Sequence, residues 1–231
     1  MPMTTTKIPV LLYHRIVKKN ESIGRHKIHV FEKAFCKQMS YLKKAGFTAI
    51  TFEDIAKGII VEKPVVITFD DGYEDNYRTA FPVLKEFGFK AVIFLVTRLK
   101  RNEWGIAEGE PAIDMMNDEM ITEMNQYGIE FGGHTMYHKD LKKLSLDEAH
   151  NEIAGCKADI EEKLHKKIIS FAYPFGAINS NIIKIVTECG FEYGISTNTG
   201  PENFFEDVFQ IRRKEIHPHT RMFSFRRKVN K

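Results

Sequence analysis

Apolar residues along this chain alternate between two patterns: short β-branched runs and longer stripes at helical spacing. Val10-Leu11-Leu12-Tyr13, Val65-Val66-Ile67-Thr68-Phe69, Ala91–Val96, Ile129–Phe131, Ile168–Tyr173, Tyr193–Ser196 and Ile211–Ile216 read as strands. Between the first two, Phe31 to Ala45 carries apolar side chains at Phe31, Ala34, Phe35, Met39 and Leu42 and is closed by Gly46, a helical stripe with a stop signal. Asp75 to Phe87, Asp118 to Tyr127 and Asn179 to Cys189 read as further helices, the first closed by Gly88 and the last by Gly190. Ser145-Leu146-Asp147-Glu148 is a capping-box pattern that opens a long helix toward Lys163. This alternation predicts an α/β fold of βα units around a largely parallel sheet, either an incomplete barrel or a doubly wound sheet. Lys100 to Pro111, with Trp104, Gly105 and Gly109, is the longest irregular stretch and is expected as a rim insertion.

Composition adds bounds. With 231 residues and 43% of them hydrophobic, the chain suits one domain with a sizeable core, expected at about 8–216. A formal net charge of +3 gives no general pull toward nucleic acid. The charge is uneven: residues 212–231 carry +7 and the remainder −4. The basic tail, 217–231, is expected as a solvated last helix with a fraying end, an anionic polymer or membrane surface being the alternative partner. Cys36, Cys156 and Cys189 are far apart and odd in number, which suggests small buried hydrophobes rather than a disulfide framework. No segment approaches the roughly 18 consecutive apolar residues of a membrane span. Met1 to Lys7 lead into a short run broken by Pro9, a poor secretory signal. A cytoplasmic chain is expected as the sequence is written, and a secreted one if an N-terminal signal has been removed.

The chemistry gathers at strand ends. The Val65–Phe69 run leads straight into Asp70-Asp71-Gly72, where Gly72 permits a sharp turn. Two adjacent carboxylates are costly to hold ionised unless a cation neutralises one or one takes a proton. His14 follows the first strand, His134 and His138 follow Gly132-Gly133, and Tyr173-Pro174-Phe175-Gly176 follows a later strand. In a barrel-like α/β fold such ends converge on one face. On a helical turn His134 and His138 would be i, i+4 neighbours able to grip one ion. Two imidazoles and one carboxylate suit zinc or another first-row divalent ion, which acidifies a bound water to a pKa of ~7. A second carboxylate left free could take that water's proton, and hydrolysis of a carbonyl compound follows.

Thr68-Phe69-Asp70-Asp71-Gly72-Tyr73, His134-Thr135-Met136-Tyr137-His138 and Tyr173-Pro174-Phe175-Gly176 resemble the motifs of the NodB-homology polysaccharide deacetylases, carbohydrate esterase family 4. Leu11-Leu12-Tyr13-His14-Arg15-Ile16 is similar to the branch that de-N-acetylates poly-N-acetylglucosamine, in which the motif bearing the catalytic histidine precedes the aspartate pair. The resemblance runs from about Val10 to Ile216. It implies a single-domain deformed or incomplete (β/α) barrel that removes N-acetyl groups from an amino-sugar polymer or precursor. It also implies that Asp70 is the general base, His14 the general acid, and Asp71, His134 and His138 the ligands of one divalent metal ion, zinc first and cobalt, nickel or manganese after it. Tyr173, Pro174 and Phe175 would line the substrate groove, with the Phe175 backbone N–H on the oxyanion.

Two positions depart from the family pattern. An arginine that orients the base often stands two residues before the proline of the third motif. Here that residue is Ala172, and Arg212 or Arg213 from the last strand is the replacement at hand. A tryptophan often lines the acetyl pocket, and the only one here, Trp104, falls in the irregular stretch, so phenylalanines are expected there instead. His217 and His219 are expected at the surface, and Tyr73 and Tyr137 as packing residues. The two rivals to a deacetylase are a carbohydrate-binding protein on an inactive scaffold, motivated by Ala172, and an esterase of O-acetyl groups.

Overall fold

The computed structural model describes residues 8–230 apart from 22, 60 and 204; the reading of Met1 to Lys7 lies outside the described residues. In chain order the elements are β1 (Val10–Tyr13), β2 (Arg15–Val17), β3 (His29–Phe31), α1 (Glu32–Lys44), β4 (Thr48–Ala49), α2 (Phe52–Ala56) and β5 (Pro64–Phe69). Then come α3 (Phe81–Phe87), β6 (Val92–Leu95), α4 (Glu103–Ala107), α5 (Asp118–Tyr127), β7 (Glu130–Gly133) and α6 (Leu146–Leu164). The chain ends with β8 (Ser170–Ala172), α7 (Ser180–Glu188), β9 (Tyr193–Ile195), β10 (Lys214–Glu215) and α8 (Met222–Val229). The main sheet is parallel throughout, in the order β10-β1-β5-β6-β7-β8-β9, with β4 beside the start of β5.

The sheet curls until its two edges meet on one segment. Ile211 exchanges hydrogen bonds with β9, its N–H donating to the Gly194 carbonyl and its own carbonyl accepting from Ser196, both at about 2.9 Å. Further along, Lys214 pairs with Leu11, and the Ile216 N–H donates to the Leu12 carbonyl. The last strand therefore bridges β9 and β1, and the fold is the deformed (β/α) barrel expected from the resemblance.

A strand's period of two divides its side chains between the inside and the outside of the barrel. Val10, Val66, Val92, Phe94, Ala172, Ile195 and Ile211 form an inner cluster, sealed at the base by Ile50 and Phe52. The alternate positions, among them Leu11, Tyr13, Ile67, Phe69, Ile93, Phe131, Phe171 and Tyr173, face the surrounding helices in a larger outer cluster. Continued one step past the strand ends, the inward rows reach His14, Asp70 and His134.

Some elements differ in detail from the sequence reading. The Asp75–Phe87 helix begins as a π-helical turn, Asn76–Ala80, because its first side chains are held by the strand beside it. The Asp75 carboxylate accepts from Arg15 Nε and the Ile16 N–H, and the Asn76 amide donates to the His14 carbonyl. π-Turns of this kind are frequent at functional sites. The basic tail docks rather than frays: on α8, Phe225 is fully buried, Val229 joins the core, and Phe225 meets Tyr41 edge-on. The core therefore extends past Ile216. Ser145 caps α6 with the expected reciprocal bonds to Glu148, and all three cysteines are free thiols. Among the described residues no helix is long and apolar enough to cross a membrane.

Candidate active site

A cleft of about 260 Å³ opens at the strand C-termini, lined by His14, Asp70, Asp71, His134, His138 and Phe175 among others. Asp70 ends the inward row Val66-Thr68-Asp70, which aims its carboxylate at the barrel axis. Arg213, immediately before β10, meets it there: Nη1 donates to Oδ1 at 2.6 Å and Nη2 to Oδ2 at 2.7 Å. The guanidinium is fully buried, donates from Nε to the Ser196 carbonyl and from Nη1 to Thr68 Oγ1, and lies over the Phe94 ring. Burial pushes the Asp70 pKa up, but the Arg213 charge, then His134, then the Arg213 hydrogen bonds, outweigh it and hold the group below its ordinary value. Asp70 is thus kept ionised.

Asp71, the next residue, has a left-handed backbone with φ of 75° and lines the same cleft as Asp70. Its Oδ1 lies 3.4 Å from His134 Nε2 and 3.3 Å from His138 Nε2, and the ligand atoms of the three residues fall within 4.8 Å of one another. The two histidines do not sit on a helical turn, as their spacing suggested. They flank a tight loop in which Thr135 and His138 take φ of 69° and 54°, and this bend brings the imidazoles to a ring separation of 5.1 Å. Just before the loop, Gly132 lets β7 pack closely on its neighbours: a Cβ there would come within 2.6 Å of the Ser170 carbonyl and 2.7 Å of the Phe94 ring.

The donor set fits a divalent cation. Asp71 Oδ1 is buried with no hydrogen-bond partner among the described residues, an unfavourable state for an anionic oxygen. His134 Nδ1 lies 2.7 Å from the Ala172 carbonyl, which can only accept, so this nitrogen carries a proton and Nε2 is the atom a metal would take. Burial lowers the His134 pKa, but Asp71 and Asp70 outweigh it and raise the pKa, so a cation there would compete with a proton. Burial raises the Asp71 pKa, but His138 and His134 together bring it well below its ordinary value. Burial lowers the pKa of His138 and leaves it lowered, which favours the neutral imidazole a metal requires. Asp71, His134 and His138 could hold one ion and leave Asp70 outside its ligand set.

The cleft wall was only partly legible in the sequence. Trp104 belongs to α4, not to irregular chain, and stacks on His138 at 4.2 Å with an interplanar angle of 29°. The tryptophan thus lines the site after all, opposite Phe175, whose ring meets His138 edge-on at 4.6 Å. Tyr73 lies behind Trp104, and burial, then Asp71, push its pKa well up. Phe175 is 58% exposed on a left-handed turn at the rim of the cleft. Tyr173 and Pro174, expected in the groove, do not line the cleft. Tyr173 follows Phe171 in the outward row, is fully buried and donates its hydroxyl hydrogen to the Phe209 carbonyl; Pro174 is buried beside it. His217 pairs with Glu215 away from the cleft.

Residues 57–194 match the family model described as polysaccharide deacetylase. The Bacillus subtilis protein YxkH is 30% identical, over 92% of this chain and 72% of its own length. A poly-beta-1,6-N-acetyl-D-glucosamine N-deacetylase of Staphylococcus epidermidis is 29% identical, over 80% of this chain and 71% of its own. The structure of the Streptococcus pyogenes deacetylase PplD in complex with acetate superposes with a TM-score of 0.84 at 26% identity, covering 98% of this chain and 99% of that one. The match takes in both the aspartate pair and the paired histidines and spans more than half of the sequence, and the chain accordingly belongs to the polysaccharide deacetylase family.

Proposed function

We propose that this protein is a metal-dependent hydrolase that removes N-acetyl groups from an N-acetylated amino-sugar polymer or its precursor. The observation that carries the reading is the unpartnered Oδ1 of Asp71 facing two imidazole nitrogens beside an ionised Asp70. The likeness to an N-deacetylase of poly-N-acetylglucosamine supports the substrate class.

Asp71, His134 and His138 would hold the ion, with zinc the first choice for two imidazoles and a carboxylate, and cobalt, nickel or manganese as alternatives. A divalent ion at that position supplies a Lewis acid for the acetyl carbonyl and acidifies water. Asp70, ionised and fixed by Arg213, accepts the proton of the attacking water. His14 shares the cleft with Asp70 and Asp71 and donates a proton to the departing amine. The Phe175 backbone N–H is the proposed oxyanion donor, a role worth roughly 2.7–4 kcal/mol in other hydrolases. Trp104 and Phe175 form the walls against which the acetyl methyl and sugar ring would pack. Arg213 weakens the case for an inactive binding scaffold, because it fills the part that Ala172 leaves open.

The test is acetate release from chito-oligosaccharides and from poly-β-1,6-N-acetylglucosamine, before and after chelation. Activity that disappears with chelator and returns with zinc or cobalt supports the proposal. Equal rates in chelator would sink its metal dependence, and release confined to O-acetylated sugars would redirect it to an esterase.

A further inference from the structure

The loop that carries His134 and His138 does not hold its own shape. Two of its residues are left-handed without being glycine, a conformation costing on the order of 1 kcal/mol or more at each. Something else must fix it. The support comes from α6, where Glu152, Gly155, Cys156 and Asp159 follow at intervals of three, one and three residues and so share one face.

Each member of this face meets the histidine loop or its neighbour. Glu152 is buried, and its Oε2 alone accepts from the Met136 N–H at 2.9 Å and the Tyr137 N–H at 3.0 Å. Those are the two amides between Thr135 and His138. Gly155 leaves room for the Met136 thioether, which a Cβ at that position would overlap. Cys156 packs beneath Gly133 and is fully buried. Asp159 accepts from Thr97 Oγ1 and from Arg98 Nε and Nη2, while the Thr97 and Arg98 amides donate to the Thr135 and Met136 carbonyls. The ligand loop is therefore gripped on both its N–H and C=O sides by groups that α6 anchors.

We infer that Glu152 is a positioning residue for the metal centre, setting the geometry of His138 relative to His134 and Asp71 through the Met136 and Tyr137 amides. This rests on the metal reading of the preceding subsection. Partners one step behind metal ligands typically change affinity roughly 10–100-fold when removed. Because one oxygen takes both amides, a glutamine could keep both bonds with its carbonyl oxygen. An aspartate would keep the charge but fall short by one methylene.

The experiment measures zinc affinity by chelator competition, and the visible spectrum of the cobalt-loaded protein, in the full chain and in Glu152→Gln, Glu152→Asp and Glu152→Ala. Metal-free melting is recorded for each. We expect Glu152→Gln to stay within about threefold of the parent, and Glu152→Asp and Glu152→Ala to lose roughly 10–100-fold with an altered cobalt spectrum. Parent-like affinity and spectrum in Glu152→Asp and Glu152→Ala would overturn the role, as would Glu152→Gln failing like alanine. If Glu152→Ala does not fold, the aspartate and glutamine pair decides. A parent protein that binds no divalent ion would instead overturn the metal reading itself.

Discussion

Arg213 and Asp70 form a two-pronged ion pair inside the barrel, at 2.6 and 2.7 Å, although 143 positions separate them in the chain. The arginine lies between Ile211, which pairs with β9, and β10, which pairs with β1, so closure of the sheet and orientation of the proposed base are one structural event. A planar guanidinium is suited to this, because its paired N–H groups fix the carboxylate plane as well as its charge.

Replacing Arg213 should therefore do more than lower activity. Arg213→Met leaves Asp70 buried without its counter-charge, an arrangement that typically costs about 3–5 kcal/mol. Arg213→Lys keeps a charge but cannot match both oxygens. With the guanidinium present the Asp70 pKa is lowered, so the basic form survives until the pH falls well into the acid range. In Arg213→Lys the acidic limb of kcat/KM against pH should move to higher pH. An unmoved limb would argue that Asp70 is not the group titrating there.

Asp70 and Asp71 should separate cleanly by metal content. Asp70→Asn is expected to abolish turnover while the purified protein still takes up one equivalent of zinc, measured by elemental analysis. Asp71→Ala or His138→Ala should lose both. Loss of bound zinc in Asp70→Asn would show that both carboxylates are ligands.

Trp104 is the only tryptophan of the chain and stacks on His138, so its fluorescence should report directly on the site. Titration with zinc should change its emission and saturate at one equivalent, with no change in Asp71→Ala. Trp104→Phe should silence the signal yet retain activity. Trp104→Ala, losing an aromatic contact worth roughly 0.5–1.5 kcal/mol, should weaken zinc binding about 2–10-fold.

Glu130 should make stability depend on pH near neutrality. It starts β7 at the base of the barrel, where its carboxylate accepts from the Glu53 N–H and from Ser170 Oγ, and burial raises its pKa from 4.5 to about 7. The folded protein thus binds more protons than the unfolded chain between those values, and stability falls as the pH rises through that window. The full shift corresponds to about 3 kcal/mol at most. Glu130→Gln should melt higher than the parent at pH 8 and nearly level with it at pH 5; the reverse order would contradict a raised pKa.

Much of the fold could be read locally. Val65 to Phe69 has no polar alternative to a buried strand, and Ser145 with Glu148 fixes the start of α6 through bonds spanning three residues. The motifs at Asp70-Asp71, at His134 and His138, and at His14 were legible because residue type and order carry that signal without any knowledge of distance. Tyr173 and Phe175 show the limit: both are aromatic beside a proline, yet the strand period sends one ring into the core and a left-handed turn sends the other to the rim.

The sequence by itself therefore determined the βα alternation, the family and which residues are candidates to bind metal and move protons, because periodicity and side-chain chemistry are local properties. Only the tertiary structure decided that Arg213 rather than Arg212 holds Asp70, that Trp104 walls the cleft and that Glu152 grips the histidine loop. Each of those depends on segments distant in sequence being brought together, and that distance is set by how the sheet closes and how the helices pack around it.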